Sequence, residues 1–153
     1  MGLQVGDEIP EFIATNDKGE QFLSSDIIGK KNLILYFYPK NFTPGCTKEA
    51  CSFRDSYVDF VNMGVEVIGI SADSVKSHAR FKSKYALPFM FLSDPKGELR
   101  NLFGVKSELL GLLPGRETYV IDEKGIIQLK FNSMKASEHL GKAIEKIKEM
   151  ANK

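Results

Sequence analysis

A chain of 153 residues with 42% hydrophobic and 27% charged content has the balance of an ordinary globular protein, and its length predicts one domain, residues 1–153, around one good-sized core. A formal net charge of +1, with no dense Lys/Arg run and no aromatic-studded basic stretch, argues against nucleic acid or an anionic membrane as a partner. No apolar run is long enough to span a bilayer, residues 1–10 lack the apolar stretch of a secretory signal, and the carboxyl end carries no lipidation motif, so the expected location is the cytosol.

Residues 12–23 break at Asn16-Asp17-Lys18-Gly19, which predicts a β-hairpin with a glycine-containing turn. Residues 24–28 predict a helical turn ended by Gly29. Residues 32–38 are nearly all apolar, as in a strand buried on both faces. Residues 39–45 read as a loop, and a helix is expected from about Cys46 to Met63, stopped by Gly64. A second buried strand follows at residues 65–70. Ser74 is expected to cap a helix reaching Tyr85, with Pro88 just past its end. A short strand at 89–92 and a short helical piece at 96–103 come next. Strands at 117–121 and 126–131 are joined at Asp122-Glu123-Lys124-Gly125, a hairpin signal. Ser137 is expected to cap a last amphipathic helix with Leu140, Ala143, Ile144 and Ile147 on one face. This order predicts an α/β protein with a central mixed sheet flanked by helices. It is the element order of the thioredoxin fold, with an N-terminal β-hairpin extension and an insertion near residues 86–116.

The chain has two cysteines, Cys46 and Cys51. A core of this size needs no staple, and so short a loop constrains the unfolded chain little. Two close cysteines in a reducing compartment are more often redox-active or metal-binding. Cys46 falls where a buried strand gives way to a helix, so it lies in the first helical turn. Unpaired backbone N–H groups and the helix dipole favour an anion there, and the thiolate is the nucleophilic form of cysteine. Ala50, Phe53, Tyr57, Phe60 and Val61 share a helix face with Cys46, whereas Cys51 sits about 140° away at about 100° per residue. In an intact helix the two Cα atoms are roughly 8–9 Å apart, beyond the limit of about 7 Å for a disulfide. The pair closes only if the first turns unwind. A metal site would need further ligands, and only His78 and His139 are available. Both are expected to be surface or packing residues, and neither a metal nor a cofactor is expected.

Pro39-x-x-x-Thr43-x-x-Cys46 resembles the active-site signature of the peroxiredoxins. The longer run Phe42-Thr43-Pro44-Gly45-Cys46-Thr47-x-Glu49-Ala50-Cys51-x-Phe53-Arg54-Asp55 is similar to the bacterioferritin-comigratory, or Q-type, subgroup. The likeness extends from Val5-Gly6-Asp7 through Gly115-Arg116-x-Thr118-x-Val120-Ile121-Asp122 to the last helix. It implies a thiol-dependent peroxidase acting on hydrogen peroxide and organic hydroperoxides. Cys46 is then the peroxidatic cysteine and Cys51 the resolving one. Thr43 hydrogen-bonds the peroxide and thiolate, Pro39 shields the site from water, and Arg116 holds the thiolate and polarises the peroxide. A monomer reduced by thioredoxin or a similar dithiol is implied as well. Residue by residue, plainer roles stand beside these. Thr43 suffices as a helix cap and Pro39 as a strand end, and Arg116, Arg54, Arg80 and Arg100 are all possible surface charges. Glu49 is expected only to favour the helix N-terminus, and Lys48 to be solvated. Two other readings share the cysteine pair: a thiol–disulfide oxidoreductase, which ordinarily has C-x-x-C, and a redox sensor that unwinds on oxidation.

Overall fold

In the computed structural model, residues 2–107 and 114–152 are described. Strands β1 (Ile13–Asn16) and β2 (Gln21–Leu23) form the expected hairpin. Asn16 turns it: its Oδ1 accepts from the Lys18 and Glu20 N–H groups. The buried run forms β3 (Asn32–Phe37) and leads into α1 (Pro44–Asp55) and α2 (Tyr57–Asn62). Then come β4 (Val65–Ser71), α3 (Val75–Lys84), β5 (Met90–Ser93) and α4 (Glu98–Phe103). The chain closes with β6 (Glu117–Ile121), β7 (Ile127–Asn132) and α5 (His139–Ala151).

The strands make one seven-stranded sheet in the order β2-β1-β5-β4-β3-β6-β7. β3, β4 and β5 run parallel, and β6 pairs antiparallel with β3. The hairpin joins the β5 edge through β1. This is the mixed α/β sheet that the element order predicts. β3 buries both faces. Ile34, Tyr36 and Tyr38 enter one core, with Ala50, Phe53, Phe81 and Ala143 from the helices. Leu33, Leu35 and Phe37 enter the other, with Leu99 and Phe103 of α4.

Two features of this packing bear on the site. In the β3–β6 ladder Phe37 lies opposite Glu117. The end of β3 and the start of β6 are therefore neighbours, which brings residue 116 beside the loop that leaves β3. In β4, a Cβ on Gly69 would lie 2.8 Å from the Phe91 ring and 3.0 Å from that of Tyr36. Glycine lets both rings lie against the strand, and Tyr36 then stacks on Phe53 of α1 at 4.8 Å between centroids. That stack seats the helix carrying Cys46.

Several expectations need correction. The helix expected from Cys46 to Met63 breaks at Ser56 (φ −102°, ψ 0°), after which α2 starts with a new phase. Val61 consequently leaves the buried stripe and is 49% exposed. Ser137 does not cap α5: it lies in a 3-10 turn, Ala136–Glu138, and α5 starts without a side-chain cap. Ser74 does cap α3, its Oγ accepting from Ser77 N at 3.1 Å. Part of the insertion near residues 86–116, namely 108–113, lies outside the described residues.

Candidate active site

The loop from β3 to α1 is fastened on both sides of its bend. Asn41 is buried and donates its backbone N–H to Asp73 Oδ2 at 2.9 Å. Its side chain accepts from Tyr38 O–H at 2.5 Å and meets Ser77 Oγ at 3.1 Å and His78 Nδ1 at 3.0 Å. Phe42 is left-handed, with φ +66°. A bulky residue adopts that conformation only where its surroundings enforce it. Here the ring packs on Phe81 and Tyr85 of the α3 end, at 5.2 and 6.4 Å.

Thr43 is the N-cap residue by position and extended backbone (φ −78°, ψ 150°), and its carbonyl accepts the first helical bond, from Thr47 N. Its hydroxyl does not cap the helix. It donates to the Lys40 carbonyl at 2.8 Å. Pro44 opens the helix, where its missing N–H costs nothing. Cys46 follows within the first turn, 2% exposed. Cys51 is half-buried, and both thiols are free. Pro39 is half-buried at the exit of β3.

Arg116 is buried, immediately ahead of β6. Its Nη2 lies 3.3 Å from Cys46 Sγ, and its Nη1 donates to Glu49 Oε1 at 2.5 Å. One planar fork thus joins the thiol to a carboxyl one helical turn further on. Burial pushes the Glu49 carboxyl up to about 8, with Arg116 pulling against it. Burial also opposes the Arg116 charge, but Glu49 and Cys46 outweigh it and raise the guanidinium above its ordinary value. The second Glu49 oxygen has no hydrogen-bond partner and faces His139 Nδ1 at 3.7 Å. His139 Nε2 lies 2.7 Å from the Ser133 carbonyl, which can only accept, so Nε2 carries the proton. Nδ1 is then free to accept from Thr118 O–H at 2.7 Å. Burial lowers the His139 pKa, against the Ser133 bond and with help from Arg116.

Cys46, Arg116 and the Thr43 loop are therefore brought together, while Cys51 stands on the flank of the same helix. Glu49 does more than favour the helix end: it is 1% exposed and paired. His78 and His139 are both fully buried packing residues with polar partners. Among the arginines, Arg100 is not a surface charge, since its guanidinium binds two backbone carbonyls. Arg54 donates to the Tyr85 carbonyl, whereas Arg80 and Lys48 are exposed. Among the described residues, no group of three His, Cys, Asp or Glu side chains is placed to hold a metal.

The site thus consists of a cysteine in the first turn of a helix with a buried guanidinium against its sulfur, at the exit of a central strand. The sequence model of the AhpC/TSA family matches residues 5–130, and the chain belongs to that family. It is 49% identical over 128 residues to a chloroplastic peroxiredoxin Q of Sedum lineare, covering 84% of this chain and 68% of that one. It is 45% identical over 142 residues to the chloroplastic peroxiredoxin Q of Triticum aestivum, covering 92% and 65%. The chain thus spans about two thirds of the length of these relatives. Among solved structures, the peroxidoxin BcpB of Mycobacterium tuberculosis superposes with a TM-score of 0.87 at 34% identity, covering 95% of this chain and 97% of that one. A mutant PrxQ of Xylella fastidiosa gives 0.89 at 28% identity, with 97% and 98% covered. These relatives agree with the resemblance and with the thioredoxin-like architecture. They correct the expected location: the curated relatives are named as chloroplast proteins, so the cytosolic assignment is withdrawn.

Proposed function

We propose that this peroxiredoxin reduces hydrogen peroxide and organic hydroperoxides at Cys46 and closes a disulfide between Cys46 and Cys51. The observation that carries the reading is the 3.3 Å contact of Arg116 Nη2 with a buried Cys46 Sγ at a helix start. The thiolate attacks the terminal oxygen of the hydroperoxide. The O–O bond breaks, an S–O bond forms, and the alcohol or water leaves with the peroxide's proton. Catalysis then depends on donors aimed at the oxygens as charge moves across them. Arg116 is one, and the backbone N–H groups of Gly45 and Cys46 are others. The Thr43 proton is engaged by the Lys40 carbonyl, which leaves its oxygen to accept from the peroxide O–H. Pro39 keeps water from the site.

The sulfenate takes a proton from water. The first turns of α1 unwind, the Cys51 thiol attacks the sulfenic sulfur, and water leaves. A dithiol reductant, for which thioredoxin has the right chemistry, restores both thiols by exchange. Because Cys51 belongs to the same helix, no second subunit is required, and the working unit is a monomer of one domain, residues 1–153.

The test mixes reduced protein with a small excess of hydrogen peroxide in a stopped-flow instrument and then measures the intact mass. Fast loss of two thiols with a Cys46–Cys51 disulfide is the expected result. Slow oxidation would overturn the peroxidase reading and favour disulfide exchange or sensing.

A further inference from the structure

Arg100 projects from α4 and touches neither cysteine, yet it binds both arms of the site. Its Nη2 donates to the Tyr38 carbonyl at 3.2 Å and its Nη1 to the Gly115 carbonyl at 3.0 Å. Tyr38 directly precedes Pro39, where the active-site loop leaves β3. Gly115 directly precedes Arg116. The two carbonyls belong to segments far apart in sequence, and a single planar group spans them. The ladder between β3 and β6 ends at Phe37 and Glu117, so beyond that pair the strands no longer hold each other in register. Arg100 takes over where the ladder stops.

The support beneath Arg100 is rigid. Buried Asp94 caps α4, its carboxylate accepting from Leu99 N at 3.0 Å and Arg100 N at 3.1 Å. Left-handed glycines, Gly97 and Gly104, bound the helix. Leu99 and Phe103 bury its inner face. The Arg100 guanidinium lies 5.7 Å from the centroid of the Phe37 ring, over its face. Asp94 and Glu117 are the carboxylates that face it, and Glu117 is itself engaged by Tyr119 O–H and by Asn132 at 2.8 Å. The two carbonyls are thus the direct hydrogen-bonding task of this cation.

We propose that Arg100 is a positioning residue of the peroxidase site, a guanidinium tie between the Tyr38 and Gly115 carbonyls that sets where Arg116 stands relative to Cys46 and the Pro39–Thr43 loop. The inference rests on the peroxidase reading above. A lysine keeps the charge and the stem over Phe37, but its point-like ammonium does not reproduce the two-pronged span. A displacement of order 1 Å at a reacting centre costs on the order of 100-fold in rate.

The test uses Arg100→Lys and Arg100→Gln in the Cys51→Ser background, with thermal unfolding to establish that each is folded. Two reactions of Cys46 are timed: oxidation by hydrogen peroxide, which needs Arg116 and the loop in place, and alkylation by iodoacetamide, which needs only a reachable thiolate. Both variants should lose on the order of 10- to 100-fold in the peroxide rate, while alkylation changes far less. If Arg100→Gln fails to fold, Arg100→Lys carries the comparison alone. A peroxide rate equal to that of the parent, or an equal fall in both reactions, overturns the positioning role. Slow peroxide oxidation of the parent itself would instead sink the peroxidase reading, so the two failures are distinguishable.

Discussion

Arg116 Nη1 donates a 2.5 Å hydrogen bond to Glu49 Oε1, and both side chains are closed to solvent. Burial holds the Glu49 carboxyl at about 8, against an ordinary 4.5. A group whose folded pKa is raised binds its proton more tightly in the native state. Its contribution to stability is complete below about 4.5 and is lost as pH rises through about 8. Glu49→Gln removes that titration and keeps an acceptor for Arg116. The stability of the unchanged protein minus that of the variant should therefore fall between these two pH values and be flat outside them. Urea unfolding at a series of pH values measures it. Parallel curves would show that Glu49 does not titrate in that window.

Replacing Arg116 by lysine separates charge from shape. One ammonium is not built to reach Sγ and Glu49 with the fork that the guanidinium provides. The peroxide rate of Cys46 should drop on the order of 100-fold, the usual loss for a donor aimed at developing charge. Because Arg116 also satisfies a buried carboxyl, stability should fall too, by about 1–3 kcal/mol. Stopped-flow oxidation and thermal unfolding read the two effects separately. An unaffected rate would take Arg116 out of the chemistry.

How much of this was legible in the sequence follows from range. β3 announces itself by an unbroken apolar run, and the Ser74 cap and the Asp122–Gly125 turn are local signals that the structure reproduces. The break at Ser56 is not local in that way: the apolar spacing runs on past it, so a continuous helix put Val61 on the wrong face. Arg116 could be singled out only by family likeness, because its approach to Cys46 depends on the antiparallel pairing of β3 with β6. Glu49 was legible and missed. Three residues after Cys46 it lies about 60° from it around the helix, on the buried face, whereas its charge alone points only to the helix N-terminus. Arg100 carries no sequence signal, since its partners are backbone carbonyls.

The two cysteines should divide the reaction between them. Cys46→Ser should abolish peroxide turnover, because no other described thiol stands against Arg116. Cys51→Ser should leave the first oxidation fast and stop the disulfide, so that a sulfenic acid accumulates on Cys46. Trapping with dimedone followed by intact mass detects it. An equal loss of the first step in both variants would refute this division of roles.

Asn41 offers a way to change the unwinding step without touching either thiol. Its side chain fastens the loop to Tyr38, Ser77 and His78, directly ahead of left-handed Phe42. Cutting that fastening with Asn41→Ala leaves buried polar groups short of partners and should cost about 1–3 kcal/mol of stability. It should also ease the unwinding of α1 that Cys51 needs. Once sulfenic acid has formed, disulfide closure competes with a second peroxide attack that yields sulfinic acid. A looser loop favours closure. After a large excess of peroxide the variant should therefore carry less sulfinic acid and more disulfide than the unchanged protein, while its first oxidation is slower because the loop is less well placed. Intact mass after timed quenching gives both fractions. An unchanged or larger sulfinic fraction would mean that Asn41 does not restrain the helix start.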